Sequence, residues 1–285
     1  MFAENAMSSV ELDLDSVVKV LLIGVRRTAA FMGLGVNAAI DPDFKTVDLP
    51  STESNLRLLP DPIPDSLMAN IKEEFKLWIQ AGGLRELCES LEQYLTGIYR
   101  FAAIAAASRG GRISSSAVVE IPKRFSREGL RTKLAMLRED FDVGLQRPEL
   151  MASLWDVRNC LNHRRGLVGQ QDVSGGGFLE MSWRGIDTLF IDHQGNVTLL
   201  EIGHEPFPTG EGGHIAIRVT DRVRRFTVGD RIDFSPHDLA EICWFALAQS
   251  DEIVKALMAH MERKGIAIKR DIAVDASTVS DETSI

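Results

Sequence analysis

Residues 154–166 read LWDVRNCLNHRRG, and their polar and apolar side chains sort only when the stretch is wound as a helix. Pro148 suits a first helical turn, which needs no backbone N–H, and Gly166 suits a terminator, so a helix is expected from Pro148 to Gly166. At about 100° per residue, with Arg158 at zero, Asn162 falls at about 40°, Asn159 at about 100° and His163 at about 140°. These four polar groups share one arc. Leu150, Leu154, Val157 and Leu161 fall between about 260° and about 320°, an apolar stripe that should face a core. Met151 and Trp155 fall at about 20° and about 60°, carrying the polar arc back along the helix. A solvated face rarely carries a methionine and a tryptophan in line, so this second face is expected to be covered, most economically by a partner subunit. Met151 and Trp155 are therefore read as dimer-interface residues.

Upstream, residues 12–40 have Leu12, Val17, Val20, Leu21 and Val25 at helical spacing, ending near Asp41-Pro42. Five of the ten prolines lie between Pro42 and Pro64, closing in LPDPIPD, which cannot hold a regular element. A boundary is placed near residue 65. Leu67, Ile71, Phe75 and Ile79 then mark one helix, which Gly82-Gly83 is expected to interrupt. Leu84, Leu87, Leu91, Leu95, Ile98 and Ala102 mark the next, and Leu130, Leu134, Leu137 and Phe141 another over about 127–142.

Downstream of VSGGGF the pattern changes to short β-branched or alternating runs at 178–183, 187–192, 197–202, 214–220 and 222–228. Gln194-Gly195-Asn196 reads as a hairpin turn. Ile215, Ile217 and Val219 point one way, and Ala216, Arg218 and Thr220 the other. A small antiparallel sheet is expected. Ser235, Pro236 and Asp238 form a helix start of N-cap, first-turn proline and third-position acid, and the last helix should run to about Lys264.

RNCLNH, residues 158–163, resembles the R-x4-6-H motif of the HEPN superfamily (higher eukaryote and prokaryote nucleotide-binding), in which a polar residue commonly follows the arginine, as Asn159 does. The resemblance covers roughly 66–165 and 236–264. It implies a mainly α fold, a four-helix up-and-down bundle with the motif on its third helix. To that bundle the sequence adds an N-terminal helix with a Pro-rich acidic loop over 1–65 and a small antiparallel β insertion at about 178–232, before the last helix. The bundle with its insertion spans 66–264, and the acidic tail 265–285 is expected to be disordered. Many members of this superfamily are metal-independent endoribonucleases in toxin, anti-phage or RNA-processing systems, and others are inactive binding modules. The resemblance also implies a two-fold dimer that brings two Arg–His pairs into one cleft.

The residue types suit that chemistry. Cleaving RNA through its 2′-OH needs a proton carrier, which histidine provides near neutral pH, and an anion clamp, which arginine provides bidentately. Arg158 and His163 are the candidate catalytic pair, with Asn159 orienting His163 and Asn162 reaching substrate or Arg158.

Charge adds a qualified argument. The net charge of −9 looks wrong for a nucleic-acid binder. Residues 1–65 and 271–285 carry −5 and −4, leaving the middle neutral. Within it, 109–138 is locally +6 and 218–231 locally +3. Lys123, Arg124, Arg127 and Arg131, with Arg164 and Arg165 at the helix end, are the candidate RNA contacts.

Other classes recede. No apolar run approaches the roughly 18 residues of a membrane span, and the acid-bearing N-terminus lacks a basic export region, so neither is expected. Cys88, Cys160 and Cys243 are too scattered for a disulfide framework or a zinc site and suit a reducing cytoplasm. Glu201, His204, Glu205, Glu211 and His214 surround prolines and glycines, which deny them helical ligand spacing. No metal and no cofactor is expected. The expected activity is a metal-independent endoribonuclease, the expected partners RNA and a second copy of the chain. The alternative is a catalytically inactive dimeric module binding nucleotide, RNA or a protein, and an antitoxin or other partner protein stays unidentified.

Overall fold

The computed structural model describes residues 13–44, 64–108, 123–173, 175–200 and 212–266. The tail from 267, most of the Pro-rich loop, Arg109, Arg112 and the stretch Glu201 to Glu211 lie outside the described residues. The chain is mainly helical, with a small antiparallel sheet before the last helix. No helix among the described residues is long and apolar enough to cross a membrane.

Helix α1 runs Leu14–Ile40, capped by the Asp13 carboxylate, which accepts from the Ser16 N–H at 3.2 Å. After a 3-10 turn at Asp65–Leu67, α2 runs unbroken over Met68–Ser108, 41 residues and about 60 Å. Gly82-Gly83 therefore does not interrupt it. The reason is the packing of α1 against α2. A Cβ on Gly83 would lie 2.2 Å from the Met32 side chain of α1, and one on Gly24 would lie 2.2 Å from Ser90 Oγ of α2. Glycine costs about 1 kcal/mol in a helix interior, but it lets two antiparallel helices approach closely. Leu21, Val25, Met32 and Val36 share one core cluster with α2 and the later helices, so the boundary near residue 65 does not separate two cores.

Helix α3 (Leu130–Phe141) ends on Asp142 at φ 55°, and α4 (Pro148–Arg164) ends on Arg165 at φ 53°. Pro148 and Gly166 delimit α4 as expected, Gly166 itself being left-handed at φ 76°. Helix α5 (Pro236–Arg263) opens with the expected capping box: the Asp238 N–H donates to Ser235 Oγ at 3.1 Å, and the Ser235 N–H to Asp238 Oδ2 at 3.0 Å. Cys88, Cys160 and Cys243 are free and buried in this helical body.

The five short β runs are not five strands. They merge into β1 (Phe178–Asp192), β2 (Val197–Leu200) and β3 (Gly213–Thr227), in sheet order β2-β1-β3. Gly185 in mid-strand is a point of close approach rather than a break. A Cβ there would lie 2.3 Å from Glu241 Oε1, so its absence lets this α5 carboxylate accept from the Ile186 N–H and from Trp183 Nε1, both at 3.1 Å. The turn at Gln194-Gly195-Asn196 forms as read, with Gly195 at φ 84° and the Asp192 carboxylate gathering the N–H groups of Gln194 and Asn196.

The sheet lays its inner face on α4 and α5, burying Leu179, Met181 and Trp183 of β1. The inner row of β3 is charged. Arg218 pairs with Asp187 at 2.7 Å, Arg222 with Asp187 at 2.7 Å and Glu241 at 3.0 Å, and Arg224 with Asp238 at 2.9 Å. Arg225 pairs with Glu180, and Arg231 with Glu74. The arginines of 218–231 are thus matched by carboxylates, and their local +3 is not a surplus offered to phosphate.

Candidate functional site

The face of α4 changes character along its length. Met151 is fully buried and Trp155 is 7% exposed, both within this one chain. Trp155 Nε1–H donates to Glu92 Oε1 of α2 at 3.1 Å. Reading Met151 and Trp155 as a dimer interface is therefore corrected: both side chains are buried within the single chain, Trp155 against α2, and are not left for a partner to cover. Glu92 also pairs with Lys133 of α3 at 3.3 Å, so one carboxylate ties three helices together. Asn162, only about 20° from Trp155 but seven residues on, is exposed. The arc has emerged from the core by its last turns.

Arg158 sits at the point of emergence. It is half-buried beside α2, close enough for its charge to act on the buried Cys88 thiol, which burial itself pushes up. Its guanidinium donates to Asn159 Oδ1 at 3.2 Å, while its Nε is buried without a hydrogen-bond partner. A buried donor left unmatched costs about 1–3 kcal/mol, so this arginine is held at an energetic cost.

Asn159 and His163 line an open, polar pocket of about 340 Å³, with Asp156, Arg164, Gln171 and Asp172. Arg158 touches this pocket through Asn159, whose amide oxygen faces the guanidinium and whose NH₂ is therefore directed elsewhere. His163 is exposed at the pocket, as are Asn162 and Arg165 beyond it. The arc thus gathers Asn159 and His163 around one cavity, couples Arg158 to it, and leaves Asn162 outside.

Three pocket residues were not singled out from sequence. Asp156 lies at about 160° on the same helical projection, beside His163, so its place was available from the spacing. Gln171 and Asp172 come from the loop after α4, and nothing in their spacing announces them. Asp172 accepts a two-point contact from Arg164 and the Gly169 N–H at 2.9 Å, pinning that loop to the helix end.

The candidate RNA-contact residues divide accordingly. Arg164 is taken by Asp172, and Arg131 by Asp156 at 2.6 Å. Lys123, Arg124, Arg127 and Arg165 are exposed. Lys133, part of the same basic run, is 2% exposed and turned inward over the Phe125 ring. The +6 stretch is therefore an uneven surface, strongest around 123–127. Among the described residues no group of three or more His, Cys, Asp or Glu side chains is placed to hold a metal ion. Of the acid and histidine cluster from Glu201 to His214, only His214 is described; it is exposed on β3.

No protein-family model, curated protein or solved structure matches the chain.

Proposed function

We propose that the pocket at the end of α4 is the active site of a metal-independent, HEPN-type endoribonuclease acting on single-stranded RNA. The observation that carries this reading is the linkage of Arg158 to Asn159, and of Asn159 to His163 through one shared cavity. In this scheme the Arg158 guanidinium holds the scissile phosphate and stabilises the charge that develops on it. The Asp156 carboxylate, kept oriented by Arg131, takes the proton of the 2′-OH as that oxygen bonds to phosphorus, and a protonated His163 gives its proton to the 5′-oxygen as the P–O5′ bond breaks, leaving a 2′,3′-cyclic phosphate. Exchange with water then returns both groups to their starting states. The exposed bases at 123–127 and Arg165 hold flanking phosphates. A toxin, phage-defence or RNA-processing role is the setting in which such an enzyme would act.

A second reading, a non-catalytic module that binds nucleotide, RNA or a protein, is favoured by one specific feature. Asp156 and Asp172 neutralise Arg131 and Arg164, so the pocket has little surplus positive charge.

Incubation of the purified protein with single-stranded RNA in EDTA tests the two. Cleavage leaving 2′,3′-cyclic or 3′-phosphate ends, with DNA intact, supports the nuclease. His163→Ala should then lower the rate about 10²–10⁴-fold. Arg158→Ala should lose a comparable amount, and Arg158→Lys should restore only part, because the two-point contact is lost. Cleavage that needs a divalent metal, or persists undiminished in His163→Ala, overturns it. Binding without cleavage favours the module.

A further inference from the structure

Among the described residues, nothing covers the outer face of the sheet. Helices α4 and α5 lie on the inner face, and the residues that point away from them are apolar over the half of the sheet nearest β2. Ile217 is 70% exposed, Ile215 55% and Val219 54%, and Val223, 49% exposed, follows on the same face beyond Asp221. Ile186, Thr188 and Phe190 of β1 stand opposite Val219, Ile217 and Ile215 in the register and continue the patch inward from the β3 edge. Soluble chains seldom leave a contiguous apolar surface of this kind without an occupant.

We propose that this face is the surface through which two copies of the chain associate, sheet against sheet. Two observations select a second copy over other occupants. The first is charge. The rim beside the patch carries Asp221 and Glu149 paired with Arg147, Glu180 paired with Arg225, and Arg184 across the register from Asp221, three acids and three bases. A neutral rim of mixed sign meets its own copy without net repulsion, whereas a polyanion or an acidic membrane would need a basic surplus. The second is area. β1 and β3 lie about 4.8 Å apart over about nine residues and the four-residue β2 adds a short third strand, a face of roughly 350 Å² in projection. Stacking two such faces about 10 Å apart removes roughly 700 Å² in projection, to which the relief of the side chains adds. That lies at the lower edge of the roughly 1,000 Å² at which a specific interface begins, so the dimer is expected to be a weak one.

This contact is independent of the ribonuclease reading. The pocket lies on α4, on the inner side of the sheet, so the two pockets of such a dimer face away from the contact and each works with its own residues. It takes the place of the dimer contact that Met151 and Trp155 do not provide.

Sedimentation equilibrium of the full chain, from about 1 to about 200 µM, tests the proposal. The expected result is a concentration-dependent rise from 31.5 kDa toward twice that mass. Ile217→Lys should weaken association at least tenfold, because it puts a charge at the centre of an apolar contact. Its circular dichroism and melting should stay those of the parent, since the side chain is exposed in the single chain. Leu34→Lys, at an exposed apolar position on α1, should leave association unchanged. A chain that stays monomeric throughout the range overturns the proposal, as does a dimer that Ile217→Lys leaves intact or that Leu34→Lys dissolves. A monomer that floats with neutral phosphatidylcholine vesicles would assign the face to a membrane and overturn it equally.

Discussion

The helical body and the sheet solve the same problem in opposite senses. In the helices the apolar side points inward: Leu87, Leu91, Leu95 and Ile98 of α2 and Leu150, Leu154, Val157 and Leu161 of α4 are all buried. In β3 the inward row carries Arg218, Arg222 and Arg224 together with Ala216, Thr220 and the buried Phe226, and the outward row carries Ile215, Ile217, Val219 and Val223 together with Asp221 and Arg225. The inversion is possible because other elements bring carboxylates to the inner face. Asp187 comes from β1, and Asp238 and Glu241 from the first two turns of α5. A period of two shows that a strand has two different faces; only the neighbouring element decides which is inside. Such ion pairs add little net stability over an apolar contact of the same shape, but breaking one partner of a pair is costly.

The largest effect expected from this contrast is in the helical body. Trp155→Ala removes a ring buried in the single chain together with its hydrogen bond to Glu92, and should cost about 3–5 kcal/mol in urea denaturation. A variant of parental stability that merely dissociates a dimer would restore Trp155 to an intersubunit role. In the sheet, Glu241→Ala should cost about 3 kcal/mol, because Trp183 Nε1 and the Ile186 N–H lose their acceptor and Arg222 loses one of its two carboxylates. The part-exposed Arg222 regains water and keeps the loss from being larger. A loss under about 1 kcal/mol would mean that the inverted face is not held by its carboxylates.

The limits of α4 and the start of α5 were legible because proline, glycine and a capping box act within a few residues of themselves. The turn at Gly195 was legible for the same reason. Where the deciding partner is distant in sequence, the reading failed or stopped short. Gly82-Gly83 reads as a break until Met32 of α1 is seen to occupy the notch. The runs 178–183 and 187–192 read as separate until Glu241 is found against Gly185 in mid-strand. Trp155 on a polar arc reads as intersubunit until Glu92 is found above it. The arginines of β3 read as a basic patch until Asp187, Asp238 and Glu241 arrive. At the candidate site the helix-borne part, Asn159 and His163 with Asp156 beside them, follows from spacing, whereas Asp172 reaches the pocket through a loop.

The two regions should also fail at different pH. Hydrogen bonds from Arg218 and then Arg222 hold the Asp187 carboxyl down at about 2, against an ordinary 3.8. Burial would raise Glu241, but Arg222 and Trp183 overcome it and hold that carboxyl low as well. A group depressed in the folded state contributes stability above its unfolded value and loses it as pH falls through the folded one. The sheet should therefore weaken only below about pH 4, on the way to about pH 2. His260 of α5 follows the same rule in a higher window. Burial depresses its pKa from 6.5, reinforced by Lys264 and Arg263 and opposed by Asp142 and by a hydrogen bond to the Phe141 backbone. Its contribution is complete above pH 6.5 and is lost as pH falls below that value until the folded imidazole itself takes a proton. Urea midpoints across this range should show two steps in the parent. His260→Gln should remove the upper step and leave the acid one. A single step, or an upper step that survives His260→Gln, would break the assignment.

The smallest expected effect is the sharpest comparison of the two faces of one strand. At Ile217 a threonine keeps the β-branched backbone preference and removes apolar surface that is already 70% in water. Ile217→Thr should therefore change unfolding free energy by no more than about 0.5 kcal/mol in dilute solution, where the chain is single. At Arg222, on the inward face of the same strand, Arg222→Met leaves Asp187 and Glu241 without their shared partner, each carboxylate being 7% exposed or less. The two substitutions alter one strand five residues apart, and only the inward one should register clearly. Equal losses at both positions, measured at the same low protein concentration, would mean that the outer face is covered within the single chain. The outward row of β3 would then be a second inner face.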